Sequence, residues 1–420
     1  MQSVNTAADL TDAAFAPRSA SLSSAASPEF LERFLDACAS APVTAAAAEA
    51  KRELPQPSHT ELRFDHFMRL ALYDETVGYY AQPGRHRVGR SPGTDFYTSS
   101  NVGQNPNNTG ATSPGLFGEL VVQSCLALMG EAFCARATFI EIGAECGGQC
   151  PPPNSARARW PASLRADNVQ GILENLDHPF AAARTISLGE PIQLSSDLGQ
   201  SDAPLIVFSN ELFDAQPCRR FVWREGGKAC SQQNADATGW RETYVRAEGG
   251  TLSEVEHPLE YVPKFLPKTA PDGYRIDAPL DSKRFLDQIA QQPWHGLFLA
   301  FDYGKTWAEL TEATPQGTAR AYTLHRQINE LLDQPGQQDL TCHICWDWLQ
   351  DSLAKSGFGD IALDTQEAFF VKHAGSFIAQ QIAAEAHTLS PKKQALLQLL
   401  HPAHLGQKFQ VLSATRTRHG

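Results

Sequence analysis

Apolar residues fall along this chain in blocks of two distinct periods, and the blocks alternate. Near the start, Ser27-Pro28-Glu29 reads as an N-cap, a first-turn proline and a first-turn acid. Phe30, Leu31, Phe34 and Leu35 follow at helical spacing, which predicts a docking helix. Leu62, Phe67, Leu70 and Leu72 suggest a helix from His59 to Tyr73, and Leu116 to Met129 reads as another. Phe139 to Ile142 is a short apolar strand, and Gly171 to Ala183 a helical pattern followed by a strand, ARTISLGEP, ending at Glu190. Leu205 to Phe208 is apolar throughout, as suits a parallel strand buried on both faces. RRFVWREGG and GWRETYVRAEGG look like an antiparallel hairpin or small meander. A further apolar strand, within Gly296-LFLAFDYG-Lys305, ends in Asp302. A helix is expected from Trp346 to Lys355, and the strands DIALDTQEAFFV and KFQVLSAT could close the sheet antiparallel. Strands alternating with helices predict an α/β doubly wound sheet.

The pattern breaks in three places. Residues 1–57 are Ala- and Ser-rich, an extension expected to hold little but the one helix, and the compact fold is expected over 58–420. The Asn-rich stretch 101–115 and the proline-containing stretch 149–170 read as surface insertions. Asn107-Asn108-Thr109 fits the glycosylation pattern and is read as chance, since no export signal is evident.

Composition narrows the class. The 420 residues are 42% hydrophobic and 20% charged, with net charge −12. That balance disfavours nucleic-acid and anionic-membrane surfaces, which reward basic patches. No run of 18 apolar residues exists, so membrane insertion is not expected. Nine scattered cysteines suit a reducing compartment, and Asp9 and Asp12 before Arg18 disfavour a mitochondrial presequence. A cytoplasmic, bacterial-type location is the expectation, with homodimerisation left open.

The candidate chemistry lies at strand ends. FIEIGAECGG (139–148) runs from a strand into an acidic turn where Gly143 and Gly147 permit close backbone approach to a ligand, with Glu141 beside them. Glu190, ending the next strand, either accepts both ribose hydroxyls of an adenosine or is a solvated acid before Pro191. The full GxGxxG of pyrophosphate sites is absent, and Glu141 and Glu145 would repel phosphates while tolerating a sulfonium. S-adenosyl-L-methionine is therefore favoured over NAD. Asn210-Glu211-Leu212-Phe213-Asp214 places two acids three apart beyond a strand, on one face if the turn is helical. Glu211 is the expected substrate-orienting carboxylate, with Asp214 second. The alternative is that Asp214 caps a helix and Glu211 pairs with Arg219 or Arg220. Asp302 ends the neighbouring strand, lining the same pocket or packing the fold. His343 is a candidate acid/base or a structural histidine. Cys342 with Cys345, and Cys146 with Cys150, lack the second close pair that a structural zinc needs. No metal is expected.

Taken together and in order, FDHFMRLALYDETVGYY, GTDFYTSS, LFGEL, FIEIGA, NELFDAQPCRRFV, FLAFDYG and PGQQDLTCHI resemble the MidA family over roughly residues 58–375. The family's mitochondrial members are complex I assembly factors of the arginine-methyltransferase type. The resemblance implies a Rossmann-like class I methyltransferase core with a mixed, mostly parallel sheet. It also implies an inserted α+β substrate-cap subdomain at about 218–290, bound S-adenosyl-L-methionine, and a protein substrate bearing an acceptor arginine. Asn210 joins Glu141, Gly143, Gly147 and Glu190 as the implied cofactor residues. The chain departs from the family's Gly-Ala-Gly-x-Gly loop at Glu145, inserts residues at 101–115 and 149–170, and carries Cys345 and Trp346 where an aspartate and a phenylalanine are usual. These departures raise the alternative of a catalytically weakened assembly or binding factor.

Overall fold

The computed structural model describes residues 26–40, 60–81, 99, 102, 115–146, 169–173, 176–187, 191–194, 203–226, 238–324, 326–384, 386–387 and 390–418. Helix α1 (Pro28–Ser40) starts as its sequence predicts: Ser27 Oγ accepts from the Phe30 amide at 3.1 Å, and Phe30 and Phe34 are buried one turn apart. The expected helix from His59 begins later. Strand β1 (Glu61–Arg63) pairs first with a distant strand, and α2 (Phe64–Tyr73) follows.

After α3 (Leu116–Met129), strand β2 (Thr138–Cys146) runs on through the expected turn and pairs antiparallel with β3 (Val169–Gln170). No helix forms among the described residues of 171–183. Ile172 and Leu173 are buried in a turn and Pro179 stops a helix register, so the chain enters β4 (Ala182–Ser187) from coil. Phe180 instead stacks on Phe139 of β2 at 5.3 Å.

Strand β5 (Leu205–Asn210) is followed by an excursion of β6 (Arg219–Arg224), β7 (Gly239–Glu248), β8 (Thr251–Pro258) and β9 (Arg275–Ala278). With β1 these form a five-stranded antiparallel sheet, ordered β1-β7-β6-β9 with β8 also on β7. The next helix, α4 (Leu280–Ala290), packs on the main sheet, so the second sheet ends at β9.

The chain then returns as β10 (Gly296–Asp302) and β11 (Gly304–Lys305), with α5 (Trp307–Glu312), β12 (Arg320–Thr323), β13 (Arg326–Ile328), β14 (Asp339–Thr341) and β15 (Ile344–Cys345) leading to α6 (Trp346–Lys355). Strand β16 (Gly359–Thr365) gives way at Gln366 to α7 (Gln366–Ala384), so QEAFFV is helix rather than strand. Helix α8 (Pro391–Leu400) and β17 (Gln410–Arg416) end the fold.

The main sheet has seven strands, with core order β16-β17-β10-β5-β2-β4. Strands β4, β2, β5 and β10 are parallel, and β17 is antiparallel to both β10 and β16. Alternation along each strand separates two cores. Phe139, Ile206, Phe208, Leu299 and Phe301 face α3, α7 and α8, whereas Ile140, Val207, Phe298 and Ala300 face α4 and α6. The chain leaves β2 toward β4 on one side and returns as β5 on the other. The carboxyl ends of β2 and β5 therefore flank a topological switch point, where open α/β sheets bind ligands. No helix among the described residues is long and apolar enough to cross a membrane.

Candidate active site

Gly143 sits near the carboxyl end of β2 with φ +82°, and a Cβ there would lie 2.7 Å from Leu212 Cδ1. Only glycine adopts that conformation freely. Two residues earlier, Glu141 is buried and its Oε2 accepts from the Ile172 amide at 2.7 Å, holding the turn that follows β3. Burial raises its carboxyl from 4.5 to about 7, against the opposing pull of that amide. Because the folded value lies above the unfolded one, the wild-type chain loses stability as pH rises from about 4.5 through 7. Glu141→Gln keeps the amide acceptor and removes the titration. Its stability relative to wild type should therefore grow between pH 5 and pH 8, on the order of 3 kcal/mol, in denaturant titrations. Parallel pH profiles would contradict this.

Across the switch point, β5 ends at Asn210 and the next residue, Glu211, takes φ +50°. Such a conformation in a residue other than glycine is uncommon and concentrates at functional sites. Glu211 Oε1 accepts from Asn210 Nδ2 and from the Ser99 amide, both at 3.2 Å, and its own amide donates to Phe301 O at 2.8 Å. Residues 211–216 form bends and a turn rather than a helix, so the two acids do not share a helical face. Arg219 pairs with Glu242 at 2.6 Å and Arg220 with Asp277 at 2.7 Å, which engages both proposed partners of Glu211 elsewhere.

Asp214 is buried beside the end of β10. Burial raises its carboxyl to about 6, and the Tyr303 hydroxyl lies within hydrogen-bonding reach of it. His343 follows β14, and its ring meets Tyr303 edge-on at 5.6 Å between centroids. Burial lowers His343 to about 4, with Lys305 and Arg320 adding to the effect, so the imidazole is neutral at pH 7. The structure thus places Asp214 and His343 beside Tyr303, with Asn210 and Glu211 at the end of β5 and Glu141 and Gly143 on the adjacent strand. Gly147 and Glu190 lie outside the described residues, and of Glu145 only the backbone pairing with Gln170 is described.

Three buried polar atoms at this strand end have no hydrogen-bond partner among the described residues: Ser209 Oγ, Asn210 Oδ1 and Asp214 Oδ1. Leaving such atoms unpaired costs about 1–3 kcal/mol each, so each is a candidate contact for a polar ligand beyond the end of β5. An acceptor at Asn210 beside a left-handed glycine turn fits the amino acid portion of an adenosyl amino acid. The surrounding acids fit a cation.

Sequence reasoning missed several contributors. Ser99 comes from a segment without periodicity. Tyr73 donates to Ala215 O at 2.8 Å and Tyr80 to Asp339 Oδ1 at 2.9 Å, and the two rings stack at 5.5 Å. FDHFMRLALYDETVGYY carried that signal in its spaced tyrosines.

Comparison with known proteins bears on the fold and the reaction class. A family model described as "Putative S-adenosyl-L-methionine-dependent methyltransferase" matches residues 162–360, which include the 210–214 acids and His343 and begin after the Gly143 turn. No curated protein matches the chain. Among solved structures, it is similar to a candidate methyl transferase from Burkholderia thailandensis bound to S-adenosyl-homocysteine. The two share 20% identity over 94% of this chain and 95% of that one, with a TM-score of 0.64. A native crystal structure of an uncharacterized protein of that superfamily, from the same organism, matches at 18% identity, 94% and 95% coverage and a TM-score of 0.62. At these identities the likeness is one of fold, and the chain shares the fold of that methyl transferase over nearly its whole length.

Proposed function

We propose that the protein is an S-adenosyl-L-methionine-dependent methyltransferase whose acceptor is an arginine of a protein substrate. The observation that carries this reading is the Gly143 turn against Leu212, with the unpaired Asn210 Oδ1 and the Glu211–Asp214 acids, at the switch point. The family model and the shared fold support the reaction class.

In this reading Gly143 lets the methionine portion approach the backbone and Asn210 Oδ1 accepts from its ammonium group. Glu190, which ends the second core strand in the sequence pattern, takes the ribose hydroxyls. The bound cofactor supplies an electrophilic methyl group on a sulfonium. Glu211 orients the acceptor guanidinium, which is fully charged near neutral pH and a poor nucleophile until it gives up a proton. Asp214, lifted to about 6, titrates close enough to neutrality to take that proton as the new C–N bond forms. His343 and Tyr303 wall the carboxylate from water.

One observation favours a second reading, a methyltransferase-fold assembly or binding factor with weakened catalysis. Where the family loop is Gly-Ala-Gly-x-Gly, the backbone at Glu145 and Cys146 is drawn into pairing with β3. Incubating a proteome with the protein and deuteromethyl-labelled S-adenosyl-L-methionine, followed by peptide mass spectrometry, separates the two. Label on arginine is the expected result. Label confined to other acceptors contradicts the arginine assignment, and no label despite saturable cofactor binding favours the second reading.

A further inference from the structure

Asp302, the last residue of β10, is fully buried and collects three amides. Oδ2 accepts from Phe213 N at 2.9 Å and Asp214 N at 3.4 Å, and Oδ1 accepts from Tyr303 N at 2.9 Å. The carbonyls of the acid-bearing turn are tied to separate elements: Phe213 O to Ser282 Oγ at 2.8 Å, Asp214 O to Cys342 N at 2.9 Å, and Ala215 O to Tyr73 at 2.8 Å. The amides of Phe213 and Asp214 converge on one carboxylate instead. Neither Asp214 nor Asp302 forms an ion pair with lysine or arginine among the described residues.

We propose that Asp302 is a positioning residue for the Glu211–Asp214 pair: by gathering the Phe213 and Asp214 amides it sets the direction in which Asp214 presents its unbonded Oδ1. The functional meaning of this clasp rests on the methyltransferase reading, but the clasp itself does not. It also couples the two carboxyls electrostatically. Burial raises both, and Asp214 raises Asp302 further, with Glu211 on the same turn adding to the effect. The other titratable groups that interact with the pair, among the described residues, are Tyr303, Tyr73 of α2, Tyr322 of β12 and Tyr80, none of them cationic.

The test compares wild type, Asp302→Asn and Asp302→Ala by amide hydrogen exchange across 211–216, and wild type with Asp214→Asn by carbon-13 NMR titration of the Asp302 carboxyl. Asp302→Asn keeps an acceptor oxygen, so exchange at Phe213 and Asp214 should stay within about threefold of wild type, whereas alanine should speed it by at least about tenfold. In Asp214→Asn the Asp302 titration should move down, because the negative neighbour that raises it is gone. Unchanged exchange in Asp302→Ala would overturn the proposal. So would an Asp302 titration that does not move in Asp214→Asn, a readout that holds even where the alanine variant fails to fold. Failure of the wild-type chain to bind S-adenosyl-homocysteine would count against the methyltransferase reading alone, since the exchange result needs no cofactor.

Discussion

Gly143→Val is expected to weaken S-adenosyl-homocysteine binding by about 100-fold while leaving the fold in place. At φ +82° a β-branched residue is strained by roughly 1–3 kcal/mol. The new Cβ would also sit 2.7 Å from the buried Leu212 side chain, between the two acids Glu211 and Asp214. The chain can relieve this only by moving the turn or Leu212, and both border the crevice. About 3 kcal/mol taken from the binding geometry corresponds to about two powers of ten in affinity. Calorimetry with S-adenosyl-homocysteine checks it alongside a thermal melt. An affinity within threefold of wild type, in a variant that melts normally, would show that this turn does not meet the cofactor.

The second large effect lies away from the site. Arg220 is buried between Asp277 at 2.7 Å and Glu254 at 2.8 Å, and it lies 4.8 Å over the Phe64 ring. Asp277 also accepts from the amides of Thr318 at 2.7 Å and Ala319 at 2.8 Å, joining β9 to the segment that leads toward His343. The arginine and the amides hold its carboxyl below the usual range despite burial. Arg220→Ala strands that charge, and losing one partner of a buried pair costs about 3–5 kcal/mol. The same variant should lower the melting temperature by on the order of 10 °C, given about 2–4 °C per kcal/mol in larger domains. Replacing both partners, as Arg220→Met with Asp277→Leu, should recover much of the loss. A single-variant cost under about 1 kcal/mol in denaturant titration would mean that the pair is solvated in practice.

The parts of the fold that were legible in sequence share a physical cause. β5 and β10 are buried on both faces and so read as continuous apolar runs, while the hairpin of β6 and β7 was read from mixed apolar and charged segments each closed by a pair of glycines. α1 announced itself through its cap and proline. The misread segments are those where a short apolar run suits either period. FFV in α7 looked like strand because the helix is apolar on two sides, with Phe369 and Phe370 both buried. Residues 171–183 looked helical, yet Glu141 captures the Ile172 amide and Pro179 interrupts the register.

The candidate residues were legible wherever chemistry lies at a strand end: Glu141 and Gly143 lie on β2, Asn210 ends β5, and Glu211 and Asp214 follow it. Their support was not. Whether Asp302 lines a pocket or clasps a turn depends on the parallel register of β5 and β10, which pairs Asn210 with Phe301. No local pattern encodes that register. Ser99 and Tyr73 reach the same turn from far up the chain, and only the assembled fold brings them there.

The most direct measurement is calorimetric titration of the full chain with S-adenosyl-L-methionine and S-adenosyl-homocysteine, repeated on Glu190→Ala. The account predicts saturable binding of both. It also predicts a loss of about 10- to 100-fold in the variant, as expected for hydrogen bonds to a charged carboxylate. No heat and no thermal shift at millimolar ligand would contradict it.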